Sequence, residues 1–357
     1  MRDIDIADLI TTTLYNEPKG RFINMAPELQ KYVVMRDLLT KRGGMVVKKG
    51  GVGIKETLMV DAGGRSRFVG ELEEDVVTIQ DHLQKMQLNW CLLTDNMAYG
   101  KSEILENRGR ERINNVIKPR RMAMMLRVAA SMEDAFFDAP DVSDPLTPWG
   151  LQYWVVKNAT TGFNGGLPSG FTTVANINLT TVPQFKNYTG TYTKISKTDL
   201  IDKLRTAHRH TDWVSPVKMS DFHGDFGQRR VLLVNEETIK GLENVGEAQN
   251  ENLGRDLAPY SGDNRGRRDM MFIDGEIVFK KHPIRYAPHL DDDTTNPVYM
   301  IDLATLHALT LAGENMNESD VVCLAAGKQH RAFVSYIDHK CQWICNNRRS
   351  NVVFYQA

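Results

Sequence analysis

Apolar residues recur at Met122, Met125, Leu126, Ala129, Met132 and Phe136, the three-to-four-residue spacing that presents one face of an α-helix to a core. Pro119 suits the first helical position, where its missing N–H would have no intrahelical partner, and it disfavours helix at Lys118. Asp138-Ala139-Pro140 supplies the stop. The pattern predicts a rod of roughly 28 Å at ~1.5 Å per residue, within a span 107–138. Upstream, Ile6, Leu9, Ile10 and Leu14 predict a short amphipathic helix within residues 3–15, broken by Pro18 and Gly20. A second opens at Pro27, carries Leu29, Tyr32, Val33, Arg36 and Leu39, and closes at Gly43-Gly44. Two short helices around an irregular stretch bury little by themselves, so this segment predicts an arm resting on another surface.

The period then changes. Ile54–Val60 and Arg65–Leu72 flank Asp61-Ala62-Gly63-Gly64, a hairpin tip. With few large apolar residues the hairpin cannot form its own core, so residues 54–72 predict two antiparallel strands that project and touch an adjacent copy. Residues from Asp81 to Asn107 read as helical. Between Pro140 and Gly170, Trp149, Tyr153, Trp154 and Phe163 mark an ordered aromatic loop, since flexible linkers lack tryptophan. Ser196-Lys197-Thr198-Asp199 reads as a capping box before a helix with Leu200, Leu204 and Ala207 on one face. Val231–Val234 is a buried-strand run, and Asn235 can cap the helix after it. Met271–Ile273 and Ile277–Phe279 flank Asp274-Gly275, a strong hairpin signal. Strands follow at Val298–Leu303, Arg331–Ile337, Gln342–Cys345 and Val352–Tyr355, the last two joined by the turn Asn346-Asn347-Arg348-Arg349. No internal repeat is visible. The fold class is α+β.

A chain of 357 residues with 41% hydrophobic and 25% charged content can bury a large core, in two lobes, and is neither disordered nor fibrous. The formal net charge of −1 hides a local imbalance. Residues 17–55 hold nine Lys/Arg against three acids, and residues 106–127 hold seven against two. No run approaches the 18 or so apolar residues of a membrane span, and the first residues lack a signal-peptide pattern. Cys91, Cys323, Cys341 and Cys345 are too scattered for a disulfide framework or a zinc site and read as free thiols.

Catalytic signatures are mostly missing. Gly100-Lys101-Ser102 imitates the end of a phosphate-binding loop, but Asp95 stands where the first glycine belongs. His208, His210, Asp212, Asp221, His223, Asp225, His289 and Asp291–Asp293 could ligate a divalent cation, which makes a metal-dependent hydrolase the alternative from another class. Their spacing is irregular, however. His208 and His210 close a helix, where histidine suits the macrodipole, and Asp221–Asp225 lies among turn-forming residues. His208, His210 and His223 are therefore expected not to converge on a metal.

The stretches TPWGLQYWVVKNATTGFNGGLPSG, PHLDDDTTNPVYMIDLATL and CQWICNNRRSNVVFY resemble tailed-bacteriophage major capsid proteins. The order of elements is similar to the Hong Kong ninety-seven type capsid fold across essentially the whole chain. The resemblance implies an N-terminal arm at 1–43, an extended β-hairpin (the E-loop) at 44–80 and a peripheral domain at 81–190 that holds the spine helix, 107–138. It further implies an α/β axial domain at 191–285 and return strands at 286–357. The implied function is a shell protein, not an enzyme and without cofactor, that self-assembles as hexamers and pentamers into an icosahedral capsid enclosing double-stranded DNA. An encapsulin-like cellular compartment is the alternative in the same fold. The implied location is the virion, assembled in the host cytoplasm, with portal and decoration proteins as further partners and no membrane.

Many relatives begin with a scaffolding segment that a protease removes. Here the arm starts near residue 1, so a separate scaffolding protein is expected. Lys48, Lys49 and Lys55 fall in the mapped hairpin, but nothing identifies an asparagine partner, and no covalent cross-link is expected. Lys19, Arg21, Arg108, Arg110, Arg112, Arg120 and Arg121 are the candidate DNA-facing residues, binding phosphates without reading sequence. Pairing of these cations with carboxylates of neighbouring copies is the competing expectation. Lys55, Arg65, Arg67 and Glu71 are the candidate intersubunit residues of the hairpin.

Overall fold

The computed structural model describes residues 45–60, 68, 70, 83–106, 117–212, 229–251, 270–273, 276–280, 282–323 and 331–357. The first strands are β1 (Met45–Lys48), β2 (Gly53–Met59), β3 (Leu83–Asn89) and β4 (Cys91–Gly100). Helices α1 (Lys101–Glu106), α2 (Ile117–Phe137) and α3 (Leu151–Trp154) follow, then β5 (Tyr188–Tyr192) and α4 (Asp202–Thr211). Next come β6 (Arg230–Val234), α5 (Glu236–Glu251), β7 (Met270–Ile273), β8 (Glu276–Phe279) and β9 (His282–Tyr286). The chain ends with β10 (Val298–Asp302), β11 (Leu306–Leu311), β12 (Asn317–Glu318), β13 (Val322–Cys323), β14 (Ala332–Cys345) and β15 (Val352–Gln356). Two compact units form. One draws on the described residues within Met1–Gly50, Cys91–Ala135 and Leu309–Cys341, the other on those within Gly51–Trp90, Phe136–Ala308 and Gln342–Ala357. Among the described residues no helix is long and apolar enough to cross a membrane.

In the first unit a six-stranded sheet runs β1-β11-β14-β12, with β4 and β13 also paired to β14. β4 and β14 pair antiparallel from Gly100↔Ala332 to Cys91↔Cys341. Among the described residues the helix expected over 81–107 is not formed: β3 and β4 occupy most of the range, and only Lys101–Glu106 is helical. Leu, Gln, Lys and Met favour helix intrinsically, but Met86 and Leu88, then Cys91, Met97 and Tyr99, are buried at alternate positions while most of the residues between them face out. That period of two decides for strand. β14 likewise replaces two expected strands with one. The expected strands stop at Ile337 and resume at Gln342, yet the inward alternation Phe333, Ser335, Ile337, His339 and Cys341 passes straight through the interval. His339 is fully buried, and burial pushes its imidazole down to about 4.

The expected long helix is α2, at Ile117–Phe137. Pro119 lies in its first turn rather than at its first position, where the missing N–H is still harmless. The buried stripe is Met124, Val128, Met132 and Phe136, whereas Met122 and Met125 are 42% and 41% exposed. Met132 and Phe136 are buried as expected, but in the N-terminal half of the helix periodicity placed the stripe one residue off, on Met125 and Ala129 instead of Met124 and Val128.

The second unit is built on a seven-stranded sheet ordered β5-β15-β10-β6-β9-β8-β7. β10 pairs antiparallel with both β6 and β15, while β15–β5 and β6–β9 are parallel. Leu200, Ile201, Leu204 and Ala207 join Leu242 of α5 in one core with Leu232, Val234, Met300, Val352 and Phe354 of the sheet. The expected hairpin at residues 271–279 is present, with Ile273↔Glu276 as its last described rung. Asn235 caps α5 by accepting the Thr238 N–H at 3.0 Å. The expected capping box does not form. Ser196 makes no side-chain cap bond, and Lys197–Ile201 is a wide π turn that leads into α4. Asp199 instead reaches back to the Thr193 and Lys194 N–H groups at 2.7 and 2.9 Å. Burial alone would raise its pKa, but these bonds and Lys203 outweigh burial and hold it well below the usual carboxylate range.

The aromatic loop is ordered, as its composition predicted. Trp149 stacks on Tyr153 with centroids 4.5 Å apart, and Phe171 meets both rings edge-on. The Tyr153 hydroxyl accepts the Ala175 N–H at 2.8 Å. Arg348, expected in a turn between two strands, is fully buried against this loop. Its Nε donates to the Trp154 carbonyl at 2.7 Å, Nη1 to the Phe185 carbonyl at 3.3 Å, and Nη2 to the Gly166 carbonyl and Asn187 Oδ1 at 3.2 and 3.1 Å. Burial lowers its pKa to about 10, so the side chain stays charged at neutral pH.

Candidate functional site

In a protein whose expected work is tiling, the functional groups are surfaces and charges. The first is the ribbon of the second unit. β2 pairs antiparallel with β3 along its whole length, from Gly53↔Asn89 to Met59↔Leu83. Residues 65–72, expected as the partner strand, lie outside the described residues except for Phe68 and Gly70, which are exposed. At the ribbon's base Ile54, Met86 and Leu88 are buried. Trp90 Nε1 donates to the Gly51 carbonyl at 3.0 Å, and the Gln87 N–H donates to the Ala175 carbonyl at 3.0 Å. The far rung is different: Met59 and Leu83 face each other, 55% and 54% exposed. Seven residues at ~3.4 Å each carry that rung roughly 20 Å from the base. Lys55 is exposed on β2, while Arg65, Arg67 and Glu71 fall outside the described residues. Met59 and Leu83 were not singled out from sequence. The signal was there, as two large apolar residues among Lys, Glu and Gln in a period-two stretch.

The second group is the basic set on α2, in the first unit. Arg120 forks onto Glu103, with Nη1 and Nη2 at 2.7 and 2.9 Å from its two oxygens, and Nη1 also donates to the Ala98 carbonyl at 3.1 Å. That guanidinium holds the Glu103 carboxyl below its ordinary pKa. Arg121 Nε donates to Glu318 at 2.9 Å, and Arg127 Nε to Asp95 at 2.9 Å. All three arginines thus meet carboxylates of their own chain; for Arg120 and Arg121 the expectation was DNA or a neighbouring copy. Lys19, Arg21, Arg108, Arg110 and Arg112 lie outside the described residues.

The third group is the histidine cluster. His208 does not face His210. Its Nε2 lies 3.2 Å from Nε2 of His282, a residue the sequence reading passed over, and His210 stacks on Tyr188. Asp221, His223 and Asp225 fall outside the described residues. Among the described residues no three His, Cys, Asp or Glu side chains gather to hold a metal ion. Asp291 instead accepts from the Glu236 N–H at 2.9 Å, and Asp293 pairs with Lys157.

No protein-family model and no curated protein matches the sequence. Solved structures do. A chain of the cyanophage A-1(L) capsid asymmetric unit aligns over 95% of this chain and 98% of its own, with a TM-score of 0.59 at 15% identity. The capsid of an empty GTA particle aligns over 100% and 99%, with a TM-score of 0.56 at 10% identity. The cyanophage Pam1 capsid asymmetric unit aligns over 96% and 97%, with a TM-score of 0.52 at 11% identity. From end to end, the chain has the mixed helix-and-sheet fold of phage capsid subunits.

Proposed function

We propose that the chain is a major capsid protein, the repeating subunit of an icosahedral shell built from hexamers and pentamers around double-stranded DNA. The observation that carries this reading is the end-to-end correspondence with capsid subunits. In this reading the β2–β3 ribbon is the E-loop, α2 is the spine helix, its unit is the peripheral domain, and the seven-stranded sheet with α4 and α5 is the axial domain. The exposed Met59–Leu83 rung supports a ribbon that completes its burial on another copy. Its role is architectural, without turnover. The virion is the proposed location, with assembly in the host cytoplasm beside separate scaffolding, portal and decoration proteins.

Phosphate contact, if made by Lys19, Arg21, Arg108, Arg110 and Arg112, would be independent of sequence. Arg120 and Arg121 would contribute less than free cations, because Glu103 and Glu318 already neutralise them. Negative-stain electron microscopy of the purified protein tests the reading. Closed shells tens of nanometres across support it, and nuclease-protected DNA within particles from infected cells supports the cargo. Monodisperse subunits under all assembly conditions would sink it, and enzymes in place of DNA would point to a cellular compartment.

A further inference from the structure

The His208–His282 contact joins the last turn of α4 to the first residue of β9 within the second unit. Their rings lie 5.3 Å apart between centroids, with Phe279 edge-on to His208. Two ring nitrogens at 3.2 Å make a hydrogen bond only when one donates and the other accepts. The pair therefore tolerates zero or one added proton. A second sets N–H against N–H. The groups facing the two rings are Arg230 from β6, Lys280 from the β8–β9 turn, Asp212 at the end of α4 and Asp302 from β10.

Arg230 makes this arrangement sensitive. Its side chain is fully buried, its Nη1 reaches the His208 carbonyl at 3.4 Å, and its Nη2 lies 4.0 Å from Asp212. Among the described residues its Nε and Nη2 have no hydrogen-bond partner. A guanidinium so placed cannot retreat into water when further positive charge arrives beside it.

We propose that the His208–His282 pair is an acid-sensitive latch, which holds the C-terminal turn of α4 on β9 at neutral pH and releases it when both rings are protonated. Burial first, then Arg230 and Lys280, hold the His208 imidazole down at about 4, and burial and Arg230 lower that of His282. Both lie below the ordinary histidine value of ~6.5. The latch thus contributes fully above that value and is lost as pH falls toward the folded-state values.

Hydrogen–deuterium exchange of the full-length protein, corrected for intrinsic rate, tests this at about pH 7.5, 5.5 and 4. Peptides spanning the end of α4 and the start of β9 should lose protection roughly tenfold or more between the two lower values, while β10 and β15 keep theirs. His282→Gln supplies an amide that cannot take the second proton, so the acid loss should disappear. His210→Gln, outside the pair, should behave as wild type. An acid loss in His282→Gln equal to that of wild type, or none in wild type, overturns the proposal. Should His282→Gln fail to fold, imidazole C2-hydrogen exchange on the wild type decides. A midpoint below about 5.5 for at least one of His208 and His282 upholds the latch, and midpoints above that for both overturn it.

Discussion

Replacing Arg348 by methionine removes a buried cation of similar length and leaves four acceptors without its donors: the carbonyls of Trp154, Phe185 and Gly166, and Asn187 Oδ1. Each orphaned acceptor costs ~1–3 kcal/mol. Against this, the substitution relieves the charge of a burial penalty. The drop from the ordinary arginine value of 12.5 to about 10 sets that relief at ~3 kcal/mol, at ~1.4 kcal/mol per pKa unit. Asn187 Oδ1 keeps the Val156 N–H at 3.2 Å, so three carbonyls are orphaned. Three losses at the middle of their range exceed one gain of that size, and Arg348→Met should destabilise the subunit by ~3 kcal/mol, in line with other broken buried ionic networks. Arg348→Lys should be no better, because an ammonium keeps the charge but cannot span four acceptors that match a planar fork. Arg348 remains protonated from acid through neutral pH, so the loss should not vary with pH there. Urea unfolding followed by tryptophan fluorescence reads both variants, since Trp154 accepts the Nε bond. A loss under about 1 kcal/mol in Arg348→Met, or near-wild-type stability in Arg348→Lys, would refute the argument that fork geometry outweighs charge burial.

Gly165 and Gly166 make a matched pair: a Cβ at Gly165 would lie 1.8 Å from Asn187 Oδ1, whereas nothing lies within 4 Å of one at Gly166. Gly165→Ala should lower thermal stability by ~2 kcal/mol or more and Gly166→Ala by under ~0.5 kcal/mol, as a melting comparison would show. Met59→Lys with Leu83→Lys should abolish shells under electron microscopy while leaving the melting point of the free subunit unchanged. Half burial of two such residues on a neighbour is worth ~2–3 kcal/mol per subunit. Cys341 and Cys345 have thiols pushed up to about 12 by burial, so neither should react with a disulfide reagent at neutral pH until denaturant is added.

How much of this was legible in the sequence depended on whether the deciding contact was local. The long helix, the Asn235 cap, the hairpin ending at Ile273 and Glu276, and the ordered aromatic loop all rest on residues close in the chain. Leu83–Gly100 was misread because its side chains favour helix when considered singly, and only pairing with β2 and β14 imposes the strand. Only the N-terminal half of the α2 face was misplaced, because Met122, Met124 and Met125 are chemically alike and only packing distinguishes them. Arg120 and Arg121 were visible as basic residues, but their neutralising partners Glu103 and Glu318 lie 17 and 197 positions away. Arg348 gave no sign of its role, since an arginine in a polar turn is ordinarily solvated.

The order β5-β15-β10 has a consequence for synthesis. Residues 352–356, nearly the last of the chain, fill the place between a strand made near residue 190 and one made near residue 300. While translation proceeds at ~5–20 residues per second, early segments can begin to fold, but this sheet keeps a gap that only the carboxyl-terminal strand closes. Until residues 352–356 have been made, the place between β5 and β10 stays open. Chains truncated before residue 348 would lack both β15 and Arg348, and would present unpaired strand edges on β5 and β10.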